Sequence, residues 1–434
     1  SNTTGAVNAA FGRETLASNT TGQSNTAFGT NALYGNTTAS YNTAVGYQSL
    51  YTNTTGADNT AMGTAAMFPN TTGNYNAAFG SASLRQNTTG SNNTALGQSA
   101  LNKNTTASDN TAVGYQAGYA NTTGSENVAL GRSALAANTT ASHGTAVGRE
   151  ALNSNTTGAE NSAFGSGALV NNTTGSNNVG LGRYALALNT TASNNTAVGH
   201  GASYSQTAAG NNTSIGYQAG YSYASTSGNG FNTMLGYQAG YNNTGYQNTY
   251  IGQSAGSAMT SGINNTILGT YSGNQGGLDI RTQNNNVVIS DGDGNIKYSY
   301  KNADNTTQMP DLYTNTSGNS ANLVVLSSGT IARSTSSLKY KRDVQDATHG
   351  LTELLTLRPV TYKGKNVIDG DIVFGGLIAE EVHDAGLTEF VQYADDETPD
   401  ALSYGHMVSL CIKAIQEQNA LIEALTARVA TLEG

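Results

Sequence analysis

Residues 36–52 read NTTASYNTAVGYQSLYT, and this 17-residue stretch decides the fold. The same pattern recurs throughout the first 200 residues as N-T-T-G-x-x-N-T-A-h-G-x-x-A-L-x-x, where h is hydrophobic and the fourth residue is Gly or Ala. The repeats open at Asn2, Asn19, Asn36, Asn53, Asn70, Asn87, Asn104, Asn121, Asn138, Asn155, Asn172 and Asn189. A fixed period of this length indicates a repeat architecture, so each unit is expected to be one structural coil.

The pattern continues beyond residue 200 with a looser period. Its motif glycines are Gly199, Gly216, Gly236, Gly252 and Gly269, so the spacing changes from 17 to 20, then 16, then 17 residues. We count about sixteen coils in residues 1–272. The insertion at residues 221–230 is expected to form a loop at one edge.

The repeat favours a parallel β-solenoid or β-roll. Asn and Gly tolerate left-handed backbone angles and mark the corners, while short Thr/Ala/Val/Leu pieces suit strands of about three to five residues. Seventeen residues are too few for a pair of helices, and no apolar stripe with a 3.6-residue period is present. Successive coils should stack about 4.8 Å apart, and the stacked asparagines should form hydrogen-bonded ladders.

Composition and charge exclude several classes of protein. Charged residues are 10% of the chain and its net charge is -9, so no basic footprint for nucleic acid is present. Residues 1–272 carry six acids and six bases, so residues 273–434 supply the whole net charge. The sequence contains no run of about 18 apolar residues, so no membrane-spanning helix is predicted. A single cysteine, Cys411, excludes an intrachain disulfide, and we expect it to be a small buried residue.

Residues 273–335 lose the period and are expected to form a β-rich neck. Residues 286–290 and 297–300 flank an Asp-Gly turn, which predicts a β-hairpin. A second strand and turn are expected around residues 323–331. Asp291, Asp293 and Asn295 have the spacing of calcium ligands, but the glutamate that completes such a loop is missing, so a plain turn is favoured over a metal site.

Composition changes at Ser336, and residues 336–434 predict a small α+β domain. A helix is expected over residues 344–357 and a strand over 360–363, followed by a strand, turn and helix over 373–382. Residues 408–432 predict a long helix. Its coiled-coil seam is expected at Ile415, Gln418, Ile422, Leu425, Val429 and Leu432. Ile and Val at one core position with Leu at the other would alone favour a dimer, so the oligomeric state must come from the rest of the chain. Cys411 lies within this helix.

Two resemblances extend this interpretation. The motif of residues 1–272 is similar to the head repeats of trimeric autotransporter adhesins, which form a left-handed parallel β-roll, although their coils are shorter. The segments SSLKYKRDV (336–344), LRPVTY (357–362) and GLIAEEV (376–382), followed by the terminal coiled coil, resemble the intramolecular chaperone domain of phage endosialidases and tail fibres. The second resemblance covers about residues 334–434, with the motifs in the order that the family has.

The chaperone resemblance implies a homotrimeric phage tail fibre whose last domain drives trimerisation and then releases itself. The family cleaves itself with a Ser-Lys dyad five residues apart, which Ser336 and Lys341 match, so the scissile bond is expected between Thr335 and Ser336. Many members have Asp after the nucleophile where this chain has Ser337, which leaves either serine as the nucleophile. Lys339 and Arg342 are expected to lower the pKa of the lysine. No cofactor is implied.

Other functions stay open. One is a bacterial trimeric surface adhesin with the same chaperone domain, located at the cell surface instead of in the virion. Another is ice or glycan binding by the solenoid, through its threonines or through the tyrosines of its Gly-Tyr-Gln-Ala-Gly-Tyr repeats (Tyr115, Tyr119, Tyr217, Tyr221, Tyr237 and Tyr241), for which packing between subunits is favoured. A host glycan or protein receptor is therefore an expected partner. A glycan hydrolase is disfavoured because residues 1–335 lack paired acids.

Overall fold

The computed structural model describes residues 2–223, 230–303, 305–309, 323–325, 331–333, 341–365, 371–394 and 397–433. The chain forms two compact units, Ser1–Thr316 and Ser317–Gly434.

The first unit is a parallel β-solenoid, as predicted. Each coil contributes one three-residue strand that pairs in parallel with the strand of the next coil, for example with Ala44 opposite Ala61. The strands are β1 Ala9–Phe11, β2 Thr26–Phe28, β3 Thr43–Val45, β4 Thr60–Met62, β5 Ala77–Phe79, β6 Thr94–Leu96, β7 Thr111–Val113, β8 Val128–Leu130, β9 Thr145–Val147, β10 Ser162–Phe164, β11 Val179–Leu181, β12 Thr196–Val198, β13 Thr213–Ile215, β14 Thr233–Leu235, β15 Thr249–Ile251 and β16 Thr266–Leu268. The insertion at residues 221–230 lies largely outside the described residues.

The core of the solenoid is thin because small side chains fill it. The middle residue of each strand points inward and is usually Ala, and the small–apolar pair later in the coil meets it, as Ala44 meets Leu50 in the same core cluster. In the last coils larger residues replace them, and Met234, Tyr250 and Tyr271 are fully buried. A core this narrow buries little apolar area per residue, so hydrogen bonds between coils must contribute much of the stability of the solenoid.

The corners place several non-glycine residues in left-handed backbone conformations. In the coil of residues 36–52, Tyr41, Gln48 and Leu50 have φ values of 62°, 56° and 49°. Such a conformation costs roughly 1–2 kcal/mol for an L-residue with a side chain. Gly46 has φ 131°, and a Cβ atom there would lie 2.7 Å from the carbonyl oxygen of Gly63, so this corner requires glycine.

Two buried asparagine ladders run along the coils, as the sequence predicts. In the first ladder the amide nitrogen of each opening asparagine donates to the side-chain oxygen of the one before it at 2.7–3.2 Å, as Asn53 does to Asn36. In the second ladder the backbone N–H of Asn59 donates to Oδ1 of Asn42 at 3.0 Å, and its side chain donates to the carbonyl of Gly73 at 2.8 Å. The ladders thus satisfy buried polar groups inside each corner.

Within the described coils the second ladder has one gap, and the first ladder stops after its twelfth asparagine, Asn189. In the second ladder Gly144 replaces asparagine, so it still donates its N–H to Asn127 at 2.8 Å but carries no side chain for the next coil. In the first ladder Gln206 follows Asn189, and its amide turns away to donate to the carbonyl of Ala209 at 2.6 Å. Asn189 Oδ1 and Gln206 Oε1 are buried, and no described group hydrogen-bonds to either oxygen.

The predicted hairpin of the neck is present and continues the sheet of the solenoid. Strand β19 Val287–Ser290 pairs in parallel with β16, and β20 Ile296–Lys301 and β21 Thr306–Gln308 then add in antiparallel order. Before them lies a short hairpin of β17 Asn274–Gln275 and β18 Leu278–Asp279. The expected later strand is also found, because β22 Leu323–Val325 pairs with β23 Ile331–Arg333.

The second unit combines short β-hairpins with helices. Besides the β22–β23 hairpin, its described strands are β24 Val360–Lys363, β25 Val373–Gly376, β26 Val391–Tyr393 and β27 Pro399–Leu402. Its described helices are α1 Leu351–Leu354, α2 Ala379–Asp384, a 3-10 helix Thr388–Phe390 and α3 Tyr404–Glu433. These bounds confirm the strand of residues 360–363, the strand–turn–helix of residues 373–382 and the long terminal helix. Val382, Phe390 and Leu410 belong to its small core.

The helix predicted over residues 344–357 is wrong in length. Only Leu351–Leu354 is helical, and the described residues before it carry no helix. Gly350 has non-helical dihedrals (φ -151°, ψ -131°), which stops the helix from reaching further back. A carboxylate oxygen of Glu417, on α3, accepts the backbone N–H of Leu351 at 2.8 Å, so a tertiary contact fixes where this helix begins.

Restoring the second ladder is expected to stabilise the solenoid. In the Gly144→Asn variant, the new amide can donate to Asn127 and to the carbonyl of Gly158, and its oxygen can accept the N–H of Asn161, as at the other rungs. We expect a gain of about 1–2 kcal/mol, from net hydrogen bonds worth about 1 kcal/mol each and from a less flexible unfolded chain. Denaturant unfolding followed by circular dichroism measures it.

The converse variant Asn93→Gly serves as the control. Asn93 lies in an intact stretch of the same ladder, between Asn76 and Asn110. It should lose a similar amount of stability, because its removal leaves buried groups of both neighbours without a partner. Equal midpoints for Gly144→Asn, Asn93→Gly and the unaltered chain would show that the ladder contributes nothing to stability.

Candidate functional site

A row of outward-facing apolar side chains follows the strands of the solenoid. The middle residue of each strand points inward, so the third residue points outward, and it is always apolar. The row, called the apolar row below, consists of Phe11, Phe28, Val45, Met62, Phe79, Leu96, Val113, Leu130, Val147, Phe164, Leu181, Val198, Ile215, Leu235, Ile251, Leu268 and Ile289. All of these side chains are exposed or half-buried. A continuous exposed apolar surface of this length is typical of an association surface.

Charged residues flank this row in two separate lines. The sixth position of the repeat, two residues before each strand, carries the acidic edge, which consists of Asp58, Asp109, Glu126 and Glu160. The twelfth position, two residues after each strand, carries the basic edge, which consists of Arg13, Arg132, Arg149 and Arg183. Each member of both edges is exposed or half-buried, so the apolar row lies between lines of opposite charge.

Ion pairs within the chain do not neutralise these edges, so the two edges keep opposite net charges. On the acidic edge, a carboxylate oxygen of Glu126 lies 3.3 Å from Nδ1 of His143. On the basic edge, Glu150 pairs with Arg132 at 2.6 Å and also lies 3.6 Å from Arg149. One carboxylate shared between two guanidinium groups leaves this part of the basic edge positive.

The tyrosines of coils 12–14 stack on one another. Tyr221 lies between Tyr204 and Tyr241, with ring centroids 5.0 and 5.2 Å away, and burial followed by these neighbours raises its pKa. A second stack joins His200, Tyr217 and Tyr237, with centroids 5.4 and 5.3 Å apart. Both faces of each middle ring are therefore covered by neighbouring rings, so a sugar could meet those rings only at their edges.

Asp291 organises the turn that was considered as a calcium site. One of its carboxylate oxygens accepts the backbone N–H groups of Asp293 and Asn295 at 3.0 and 2.9 Å, and the other accepts the side-chain amide of Asn295 at 3.2 Å. The side-chain hydrogen bond from Asn295 is the main cause that lowers the pKa of Asp291. These hydrogen bonds are those of an Asx-type turn. Among the described residues, no group of three His, Cys, Asp or Glu side chains that could hold a metal is found.

The residues predicted to cleave the chain lie mostly outside the described residues. Thr335, Ser336, Ser337 and Lys339 are in this group. Lys341 is described and exposed, as is Arg342 beside it. The predicted pairing of Ser336 with Lys341 stays a prediction.

Two of the motifs that carry the chaperone resemblance meet in the second unit. Arg358 of LRPVTY holds Glu381 of GLIAEEV through two hydrogen bonds, one of them 3.2 Å long from Nε to Oε2. The Tyr404 hydroxyl, at the start of α3, accepts the N–H of Leu377 at 2.7 Å and donates to its carbonyl. The sequence left Glu380 and Glu381 as surface charges or as partners of basic residues, and the structure pairs Glu381 with Arg358.

The first half of helix α3 packs on the core, and residues 418–433 are exposed on every side. Met407, Leu410 and Ala414 point into the core. The predicted seam residues Ile415, Gln418, Ile422, Leu425, Val429 and Leu432 are all exposed. Isolated helices with such a seam bury it against other helices, so this face is the second candidate association surface.

The prediction that Cys411 is buried is wrong. Its side chain is exposed, because the inward face of α3 is set by Met407, Leu410 and Ala414, and Cys411 lies one position beyond it. It borders an apolar groove with Leu357 and Val408.

Comparison of the chain with family models, with curated proteins and with solved structures finds no match. Among the described residues, no helix is long and apolar enough to cross a membrane.

Sequence reasoning missed the two charged edges and the exposure of the apolar row. The signal was available, because aligning the repeats puts four of the six acids at the sixth position and four of the six bases at the twelfth. What the sequence could not show is that the third strand residue points outward on every coil, which depends on the coil shape.

A histidine in the second unit makes its local stability depend on pH. His349 Nδ1 lies 2.7 Å from a carboxylate oxygen of Glu389, and this hydrogen bond, with Glu353 adding to it, raises the pKa of His349. The pair joins the segment before α1 to the 3-10 helix. A raised folded pKa means that the contribution to stability is complete below the unfolded pKa of about 6.5 and is lost as pH rises through the folded pKa.

We therefore expect the second unit to be more stable at about pH 5.5 than at about pH 8.5 on account of this pair. The His349→Gln variant should abolish that part of the pH dependence and leave stability at high pH nearly unchanged. Both side chains are partly exposed, so the effect should be below about 1 kcal/mol. Hydrogen exchange of the peptides that contain α1 and residues 388–390, corrected for intrinsic exchange, measures it. Glu389→Gln should match His349→Gln, and an unaltered pH dependence in both variants would contradict the assignment.

Proposed function

We propose that the chain is the distal part of a homotrimeric phage tail fibre, located in the virion and made in the host cytoplasm, that serves host attachment. In this proposal the solenoid is the shaft, and residues 336–434 are an intramolecular chaperone that drives trimerisation and then releases itself. The observation that carries the proposal is that both units expose long apolar surfaces, the apolar row and the seam of α3, which association with other chains would bury. The resemblance of residues 334–434 adds the self-cleaving chaperone.

Assembly of such a shaft needs help for a physical reason. A thin parallel solenoid offers the next chain the same row at every coil, so chains that meet one coil out of register still bury apolar side chains. A domain that first joins three chains through a coiled coil would start every shaft at the same coil. Its release would then leave a trimer that cannot easily dissociate and reassemble.

The self-cleavage needs only two side chains and water. Lys341, neutral, accepts the hydroxyl proton of Ser336, and Oγ attacks the carbonyl carbon of Thr335. The C–N bond between Thr335 and Ser336 breaks as the ester forms, and the proton passes to the Ser336 nitrogen. Water then hydrolyses the ester, which frees a fibre that ends at Thr335 and a fragment of residues 336–434. The reacting groups are tethered, so one turnover per chain suffices.

The cleavage step predicts a fragment of residues 336–434 from the unaltered chain and none from Ser336→Ala. Intact mass spectrometry and denaturing gels measure both products. Lys341→Met should also remain whole, because no base would accept the serine proton. Ser337→Ala is the matched control and should cleave normally. If only Ser337→Ala blocks cleavage, Ser337 is the nucleophile, and if the unaltered chain stays whole while it forms trimers, the proposed self-release is wrong.

The chaperone role predicts that a chain ending at residue 335 fails to form soluble trimers. The cleavage-deficient Ser336→Ala chain should form them, because it keeps the assembly domain. Sedimentation velocity of both proteins after expression under identical conditions gives the oligomeric state. Equal yields of soluble trimer from the two chains would contradict the chaperone role, and a monomeric Ser336→Ala chain would contradict the trimeric fibre itself.

A further inference from the structure

The charged edges of the solenoid can specify the direction and register of association, whereas the apolar row between them cannot. The row is apolar on every coil, so it favours association but specifies neither direction nor register. The edges differ from coil to coil, and most of their charges lie in coils 7–11, residues 104–188. Any arrangement of chains that buries the apolar row also determines which charged edges lie next to each other.

Only some arrangements bring unlike edges together. When chains are arranged around a rotation axis parallel to their solenoids, their strand faces point to that axis. The edge before the strand in one chain then lies against the edge after the strand in the next chain. The acidic edge then meets the basic edge at every contact. Two antiparallel chains packed face to face would instead bring each edge against its own copy, acid on acid and base on base, which is unfavourable.

In coils 7–11 the charges also match coil by coil, whereas Asp58 in coil 4 and Arg13 in coil 1 have no such counterpart. Acids lie in coils 7, 8 and 10, as Asp109, Glu126 and Glu160, and arginines lie in coils 8, 9 and 11, as Arg132, Arg149 and Arg183. Each acid thus has an arginine in the coil that follows its own. Twenty-three residues separate the members of each pair along the sequence, which corresponds to about 6–7 Å along the axis at a coil spacing of about 4.8 Å. The long arginine side chains can span that offset when the chains are in register.

We propose that the solenoids associate in parallel and in register through their strand faces, with the acidic edge of each chain paired to the basic edge of the next. The pairs are Asp109 with Arg132, Glu126 with Arg149, and Glu160 with Arg183, each between neighbouring chains. The partner of this surface is two further copies of the same chain, so the inference rests on the proposed trimer. Exposed ion pairs are individually weak, so the edges set direction and register while the apolar row supplies most of the association energy.

Charge reversal tests the pairing in the full cleavage-deficient chain, Ser336→Ala. The variant Asp109→Lys/Glu126→Lys/Glu160→Lys should lose at least half of its trimer at low salt, because three like-charged pairs face each other at every interface. It should recover in about 1 M salt, where charges are screened within about 3 Å. Adding Arg132→Glu/Arg149→Glu/Arg183→Glu to the same chain should restore the trimer at low salt. The control Arg85→Glu/Lys103→Glu changes charges at positions sixteen and seventeen of the repeat, outside both edges, and should remain trimeric.

A crosslink tests which residues face each other. In a Cys411→Ser background, Glu126→Cys/Arg132→Cys places thiols on opposite edges with a small axial offset, and a short bismaleimide should give covalent dimers and trimers on denaturing gels. Neither single variant should do so, because equivalent positions in different chains do not meet in this arrangement. Trimers that are insensitive to charge reversal, with multimers from a single-cysteine variant, would overturn the pairing and leave the trimeric fibre intact. A monomeric Ser336→Ala chain would instead overturn the proposed function on which the pairing rests.

Discussion

The structure of the first unit depends on the one-coil spacing of its hydrogen bonds. Each coil bonds to the coils before and after it and to nothing else in the described part of the solenoid, through strand pairing and through asparagine amides that donate and accept along the same direction. Asparagine suits this position because one short side chain satisfies a buried carbonyl in its own corner and a side-chain oxygen in the adjacent coil. This pairing of asparagines between adjacent coils requires the period of 17 residues. A coil of another length would misalign the paired asparagines unless the extra residues formed a loop outside the coil.

This constraint explains why the interior is so small and the exterior so regular. Once the corners are held by buried amides, the interior has room for Ala and one larger residue per coil, such as Leu50 or Met67. The remaining apolar side chains must point outward, where they repeat at every coil. In the proposed trimer, a surface that repeats at this spacing would favour association without fixing the register, so the scattered charges on its two edges become the features that can distinguish one register from another.

The second unit is held together by a different kind of contact. Its core is held by side chains from distant segments, and specific polar contacts position the elements, such as Glu417 at the first turn of α1 and Tyr404 against Leu377. The first half of the long helix α3 packs on this core, and residues 418–433 are exposed. A domain that is folded by itself yet presents an unburied seam is suited to join chains before the solenoid associates, which is the role proposed for it.

The sequence by itself determined the solenoid, its period, its coil number, the ladders and the hairpin that follows, because local repeats dictate local stacking and need no distant partner. It also determined the long helix α3, whose apolar pattern extends over many turns. It failed where distant contacts decide: the first helix of the second unit is short because Gly350 and Glu417 fix its start, and Cys411 is exposed because Met407, Leu410 and Ala414 fix the inward face of α3. Only the tertiary structure showed that the third strand residue of every coil points outward between an acidic and a basic edge, since the direction of a side chain follows from the shape of the coil and not from its composition.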